Sequence, residues 1–123
     1  MQSILVGVFG ALGCLARYFF SSWIHASAAG PIPFGTLAVN VIGSLAIGLL
    51  MGGDLHQPLL GGNLRIGLAV GFLGGFTTFS TFSYETVRLI ENGSLGAAIF
   101  NVLFNVVLCL LAAWVGIILA RQL

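Results

Sequence analysis

A chain of 123 residues with 59% hydrophobic and only 6% charged residues is excluded from the class of water-soluble domains, in which about a quarter of residues carry charge. Its mean hydropathy of +1.12 makes a lipid bilayer its solvent. The formal net charge is +1, there is no lysine, and the basic residues are Arg17, Arg65, Arg88 and Arg121, so neither nucleic acid nor an acidic surface is implied as a partner.

In chain order, four apolar stretches can be drawn, residues 4–24, 34–51, 64–90 and 95–120. Each is near or above the ~20 residues that a helix needs to cross a bilayer. The first has no basic segment ahead of it, holds Arg17 near its end and is followed by three similar spans, so it reads as a membrane helix and not as a secretory signal. The linkers, 29–33, 54–63 and 91–94, are short and punctuated by glycine and proline. The expectation is an all-α membrane protein, a single four-helix domain over residues 1–123. Cys14 and Cys109 fall within spans and read as packing residues, not as a disulfide or metal pair. Trp23 and Trp114 lie toward span ends, where interfacial anchors sit. His25 and His56 lie in or beside linkers and are assigned no role.

The third span contains Gly71-Phe-Leu-Gly-Gly-Phe-Thr-Thr-Phe-Ser-Thr-Phe82. A Gly-Gly pair invites the backbone to break, and four hydroxyls follow, interleaved with phenylalanines. Unpaired backbone or hydroxyl groups cost several kcal/mol each in hydrocarbon, so irregular backbone at membrane depth survives only where it is buried or lines a polar path. Gly67, Gly71 and Gly75, ahead of the expected break, form a spacing-of-four run that reads as a close helix–helix contact. Phe79 and Phe82 are three apart and share a face.

Polar residues recur on the other spans. Thr36, Asn40 and Ser44 lie on one face of the second, and Asn101, Asn105 and Cys109 on one face of the fourth. A single such stripe often only hydrogen-bonds a neighbouring helix, for ~0.6 kcal/mol on average. Two amide-bearing stripes plus a broken, hydroxyl-rich helix look instead like the wall of a translocation path. The acidic residues, Asp54, Glu85 and Glu91, lie near span ends or in linkers. A proton-coupled exporter of organic cations needs a carboxylate at membrane depth, and the first span has none. Neutral donors and the positive edges of phenyl rings suit a small anion that sheds its water. Glu85 either ends in a vestibule or pairs with Arg88 at i, i+3. Arg17 either snorkels to the interface or serves as a vestibule charge that attracts anions.

If four helices alternate, Arg65 and Arg121 flank one side and Arg17 and Arg88 the other, so the positive-inside rule has nothing to act on. Either a weak bias or translocation factor sets one orientation, or the chain inserts both ways and forms an antiparallel homodimer.

The run from Gly71 to Ser83 followed by Glu85-Thr86 closely resembles the third-helix signature of the Fluc (CrcB-type) fluoride channels. So do Gly35-Thr-Leu-Ala-Val-Asn40 with Gly43, and the stretch from Gly10 to Arg17. The resemblance extends over the whole chain in length, span count and motif order. It implies a passive, highly selective fluoride channel of the bacterial inner membrane that exports cytoplasmic fluoride. It also implies a dual-topology antiparallel homodimer with two pores, and a structural sodium ion at the dimer centre held by the backbone carbonyls of Gly74 and Thr77 from both copies. Phe79 and Phe82 match the phenylalanines whose ring edges face fluoride, and Asn40 matches a pore-facing asparagine. Thr36, Asn101 and Asn105 are added to the pore as further donors. The fourth-helix match is looser, because family members commonly carry Tyr or Ser where this chain has asparagines and Cys109.

Two other classes compete: a dual-topology exporter of the small multidrug type, and a non-transporting subunit of a larger membrane assembly. An enzyme is disfavoured, since there is no nucleophile–base, paired acid/base or metal-ligand constellation.

Overall fold

A computed structural model describes residues 1–53 and 60–122; Asp54 and His56 lie outside the described residues. Helix α1 spans Gln2–Ser27 and α2 spans Phe34–Gly52. The third membrane segment, Gly62–Glu91, consists of two helices: α3, residues 62–76, and α4, Phe79–Glu91. Helix α5 spans Leu95–Ala120. All four segments are long and apolar enough to cross a membrane, as their composition predicts. The middle of α3, Gly67–Leu73, is wound as a wider π-helix.

The turns follow from local chemistry. After α4, Gly93 takes φ +75°, a conformation that costs glycine nothing. The Ser94 N–H then reaches back to the Leu89 carbonyl at 2.8 Å and the Gly93 N–H to Ile90 at 3.0 Å, which closes the helix end before α5 starts. After α1, Gly30 takes φ +109° ahead of Pro31, and Pro33 sits at the start of α2.

The helices pair by close backbone approach. Helix α1 runs parallel to α3: Gly10 meets Gly71, Gly13 faces the Phe72 carbonyl, and Gly75 lies against Gly10 and Cys14. The glycine run of the third span is therefore a helix–helix contact, as its spacing predicts. Helix α2 runs parallel to α5, with Gly48 against Ala113 and Gly116, and Gly116 against Leu45 and Leu49. Here too the contact has a spacing-of-four signal, Gly48 and Gly52, with Gly52 against Ile117. Without a hydrophobic force between helices in lipid, such contacts rest on dispersion and on backbone proximity that only small residues permit.

Burial is inverted relative to a soluble protein. On α5 the buried residues are Ala98, Asn101, Asn105, Gly116 and Ala120, while Leu103, Val107, Leu111 and Trp114 face outward. Among the described residues, Asn101 and Val39 are the largest fully buried side chains, each 0% exposed. Leucines lose nothing by facing acyl chains, whereas an amide facing them would lose its hydrogen bonds.

The interruption does not fall at the glycine pair. Gly74 is helical at φ −63°, ψ −35°, and the chain leaves the helix two residues beyond Gly75. Thr77 is extended at φ −85°, ψ 159°, and Thr78 at φ −152°, ψ 117°. The expectation of a Gly-Gly break is thus corrected. Gly75 is kept bare by the backbone of α1, and the break is made by β-branched threonines whose hydroxyls compete for backbone groups.

Gly13→Val places a side chain against the Phe72 carbonyl of α3, whereas Gly7 has open space around it. Gly13→Val is expected to destabilise the protein by about 1–3 kcal/mol and Gly7→Ala to be neutral. Thermal melting of the detergent-solubilised protein measures both.

Candidate functional site at the helix break

Four residues on two elements make the break. Thr78 caps α4: its Oγ1 accepts the Thr81 N–H at 3.2 Å and donates to Thr81 Oγ1 at 2.9 Å. On the other side, Thr77 donates both its N–H and its hydroxyl to the Leu73 carbonyl, each at 2.9 Å, ending α3. From α2, Asn40 pairs with the exposed backbone of Thr78 at two points. Its Oδ1 accepts the Thr78 N–H at 2.8 Å and its Nδ2 donates to the Thr78 carbonyl at 3.1 Å. One turn further along α2, Gly43 leaves room for the Thr77 methyl. The Asn40–Gly43 face of α2 is therefore a socket for the broken backbone.

This arrangement frees particular carbonyls. In an unbroken helix the Gly74 carbonyl would accept from Thr78 N–H and the Thr77 carbonyl from Thr81 N–H. Both N–H groups are engaged by side chains instead, Asn40 Oδ1 and Thr78 Oγ1. Gly74 is exposed, and a side chain there would meet only the Ala69 carbonyl of its own helix, at 4.0 Å.

A cavity of about 450 Å³ adjoins the break. Asn40, Ser44, Gly74, Thr77, Thr78, Phe79, Phe82, Asn105 and Cys109 line it, among apolar residues that include Leu73, Val106 and Leu110. The Phe79 and Phe82 rings lie 5.3 Å apart, tilted by 49°. Phe82 is buried and Phe79 is 78% exposed, so one ring forms the cavity wall and the other stands at its open edge.

The structure thus brings together six of the nine residues singled out from sequence: Asn40, Gly74, Thr77, Phe79, Phe82 and Asn105. Three lie off this lining. The Thr36 hydroxyl donates to Glu85 Oε1 at 2.9 Å. Asn101 is sealed between α4 and α5, its Nδ2 donating to Thr86 Oγ1 at 2.9 Å. Arg17 is on α1, its Nη2 3.9 Å from Cys14 Sγ. The alternative pairing of Glu85 with Arg88 is corrected: Arg88 bridges Glu91 at 2.9 Å, and Glu85 holds Thr36 instead. Glu85 and Arg88 lie three apart on α4, but Thr36 at the start of α2 draws the carboxylate toward the bundle. Glu85 Oε2 is buried and has no hydrogen-bond partner among the described residues.

Two contributors escaped the sequence reading. Thr78 was legible as a helix cap, since it precedes the second half of the span and stands three residues ahead of a polar Thr81. Thr86, which receives Asn101 and donates to the Phe82 carbonyl at 2.7 Å, carries no local signal, because its partner is 15 residues away on another helix.

Taken together, the four spans, the outward apolar faces and a polar, phenyl-walled cavity at a helix break define a multi-pass α-helical membrane protein of the channel or transporter class. Residues 4–117 match the family described as CrcB-like protein, Camphor Resistance (CrcB), and the chain belongs to that family. It is 55% identical to a protein of Syntrophotalea carbinolica over 123 residues, all of both chains. It is 53% identical to one of Geotalea uraniireducens and 55% identical to one of Geobacter sulfurreducens, each over 124 aligned residues and the full length of both chains. All three relatives bear the name fluoride-specific ion channel FluC, which is the name of a channel and not of an enzyme.

Asn40→Leu removes partners from the Thr78 N–H, the Thr78 carbonyl and Asn105 Oδ1 at once. At about 1–3 kcal/mol for each buried polar group left unsatisfied, it is expected to cost more stability than Thr36→Val, which takes the partner from a single carboxylate oxygen, Glu85 Oε1. Parallel denaturation of the two variants checks the order.

Proposed function

We propose that this protein is a passive, highly selective fluoride channel through which cytoplasmic fluoride leaves across the bacterial inner membrane. The observation that carries the reading is the phenyl-walled cavity beside a hydrogen-bonded helix break, in a chain whose full-length relatives are named fluoride-specific ion channels. The rings of Phe79 and Phe82 present positive edges to an anion that has shed water, and Asn40 and Thr78 supply the polar wall beside them. Hydrogen fluoride crosses membranes neutral and ionises inside; a passive path for the anion then lowers the internal concentration without an energy source. Arg17 adds a positive vestibule charge.

The working unit of this reading is an antiparallel homodimer with two pores. Its support is the uncovered polar surface of one copy: Gly74, Ser80 and Thr81 stand exposed near the middle of the third segment, where lipid offers no hydrogen bonds. A second copy seated there covers them, and the two-to-two arginine balance sets no barrier to insertion both ways. The Gly74 and Thr77 carbonyls, left without their helical N–H partners, suit a hard cation with oxygen ligands. A sodium ion bound between copies would supply positive charge beside the two pores and lower the cost of an anion in a low-dielectric interior.

Phe82→Ile is expected to abolish or sharply reduce fluoride efflux from liposomes while the dimer stays intact by size-exclusion chromatography; unchanged efflux would remove the ring edges from the mechanism. Wild-type protein reconstituted alone should release fluoride and retain chloride, and tags on either terminus should be reachable from both membrane faces. A single orientation would exclude the antiparallel dimer.

A further inference from the structure

The amides of α2 and α5 form a chain of hydrogen bonds in which every donor points the same way. Asn40 Nδ2 donates to Asn105 Oδ1 at 3.0 Å, Asn105 Nδ2 to Asn101 Oδ1 at 2.9 Å, and Asn101 Nδ2 to Thr86 Oγ1 at 2.9 Å. Thr86 then donates to the Phe82 carbonyl at 2.7 Å. Asn105 gives its second N–H to the Asn101 carbonyl at 3.0 Å. Both N–H groups of Asn40 and both of Asn105 are therefore engaged inside the protein, and Asn101 is fully buried.

The direction of this chain has a cause. The Phe82 carbonyl can only accept, so Thr86 must donate to it and is left to accept from Asn101. Asn101 accordingly turns its Nδ2 to Thr86 and its Oδ1 to Asn105. Asn105 in turn offers Oδ1 to Asn40. Asn40 must then donate to Asn105, and its own Oδ1 is the atom left facing the Thr78 N–H. A flipped Asn40 amide would set N–H against N–H at Thr78. The Asn101 carbonyl, which also only accepts, turns Asn105 the same way, and the Thr78 N–H and carbonyl do so for Asn40, so backbone groups at Phe82, Asn101 and Thr78 agree on one direction for the whole chain of amides that holds the broken backbone open.

We infer that Asn101 and Asn105 are positioning residues: they act through Asn40, as a directional relay from the Phe82 carbonyl to the Thr78 backbone, and do not contribute donors to a permeating anion. The relay ties the residue whose ring walls the cavity to the break that frees the Gly74 and Thr77 carbonyls. Its effect on transport rests on the fluoride-channel reading above; its effect on the Thr78 backbone does not.

Thr86, absent from the cavity lining, is the place to interrupt it. Thr86→Val keeps the shape of the side chain and removes its hydroxyl. In the full-length reconstituted protein it is expected to raise hydrogen exchange at the Thr78 amide about tenfold, with the Val39 amide unchanged as an internal reference, and to lower fluoride efflux by a similar factor. Thr86→Ser, which retains the hydroxyl, should behave as wild type in both. Should Thr86→Val fail to fold, Asn101→Leu severs the same chain and carries the same expectations. Wild-type exchange at Thr78 in the severed variant, with or without reduced efflux, overturns the relay, as does Thr86→Ser behaving like Thr86→Val. Faster Thr78 exchange with no fluoride efflux from any protein, wild type included, upholds the relay and overturns the channel reading instead.

Discussion

The two-point pairing of the Asn40 side chain with the backbone of Thr78 is the interaction on which the remainder of the molecule depends. A membrane helix cannot leave a backbone N–H and C=O unpaired in hydrocarbon, where each costs several kcal/mol. An interrupted third segment therefore exists only if another helix brings an amide to it, because an amide alone carries both a donor and an acceptor in the geometry of a peptide group. Everything around the break serves that delivery. Gly43 makes space for Thr77, the hydroxyl of Thr78 starts the next helix, and the asparagines of α5 hold the Asn40 amide in its required orientation.

The same demand explains the inverted burial. In water the bundle would hide its leucines; in lipid it hides its amides and lets glycines set the helix spacing. Two parallel helix pairs, α1 with α3 and α2 with α5, are each zipped by bare backbone. They leave the broken segment between them, polar toward the interior and uncovered at Gly74, Phe79, Ser80 and Thr81. A site on such a surface is shaped by rigid elements, although its central residues are not helical. Its donors are held in place by internal bonds, so the break presents fixed dipoles and ring edges that need little rearrangement.

Much was legible from the sequence. Apolar length and the scarcity of charge settle four membrane helices, since no other structure satisfies a backbone in lipid at that span. The glycine spacing of Gly67, Gly71 and Gly75 predicts a close helix contact, and α1 supplies it. The hydroxyl-rich run after Gly75 marks an interruption, and its phenylalanines share a face as their spacing of three requires. Less legible was the position of the break. Gly74 and Gly75 are the obvious weak points by propensity, yet they stay helical, because the contact with α1 needs a bare backbone there and the extended conformation is stabilised two residues later by Asn40.

What the sequence by itself determined is the medium, the number of crossings and the residue types at the site, all of which follow from hydropathy and from periodicity within one helix. Only the tertiary structure decided which polar groups remain available. Asn101, Asn105 and Thr36 look on a helical wheel like donors facing a path, but their N–H and O–H groups are taken by Thr86, Asn101 and Glu85 on neighbouring segments. The physical reason is that a hydrogen bond between helices depends on the mutual distance of residues far apart in the chain. The pairing of Asn40 with Thr78 spans 38 residues and that of Asn40 with Asn105 spans 65, and no local pattern encodes either.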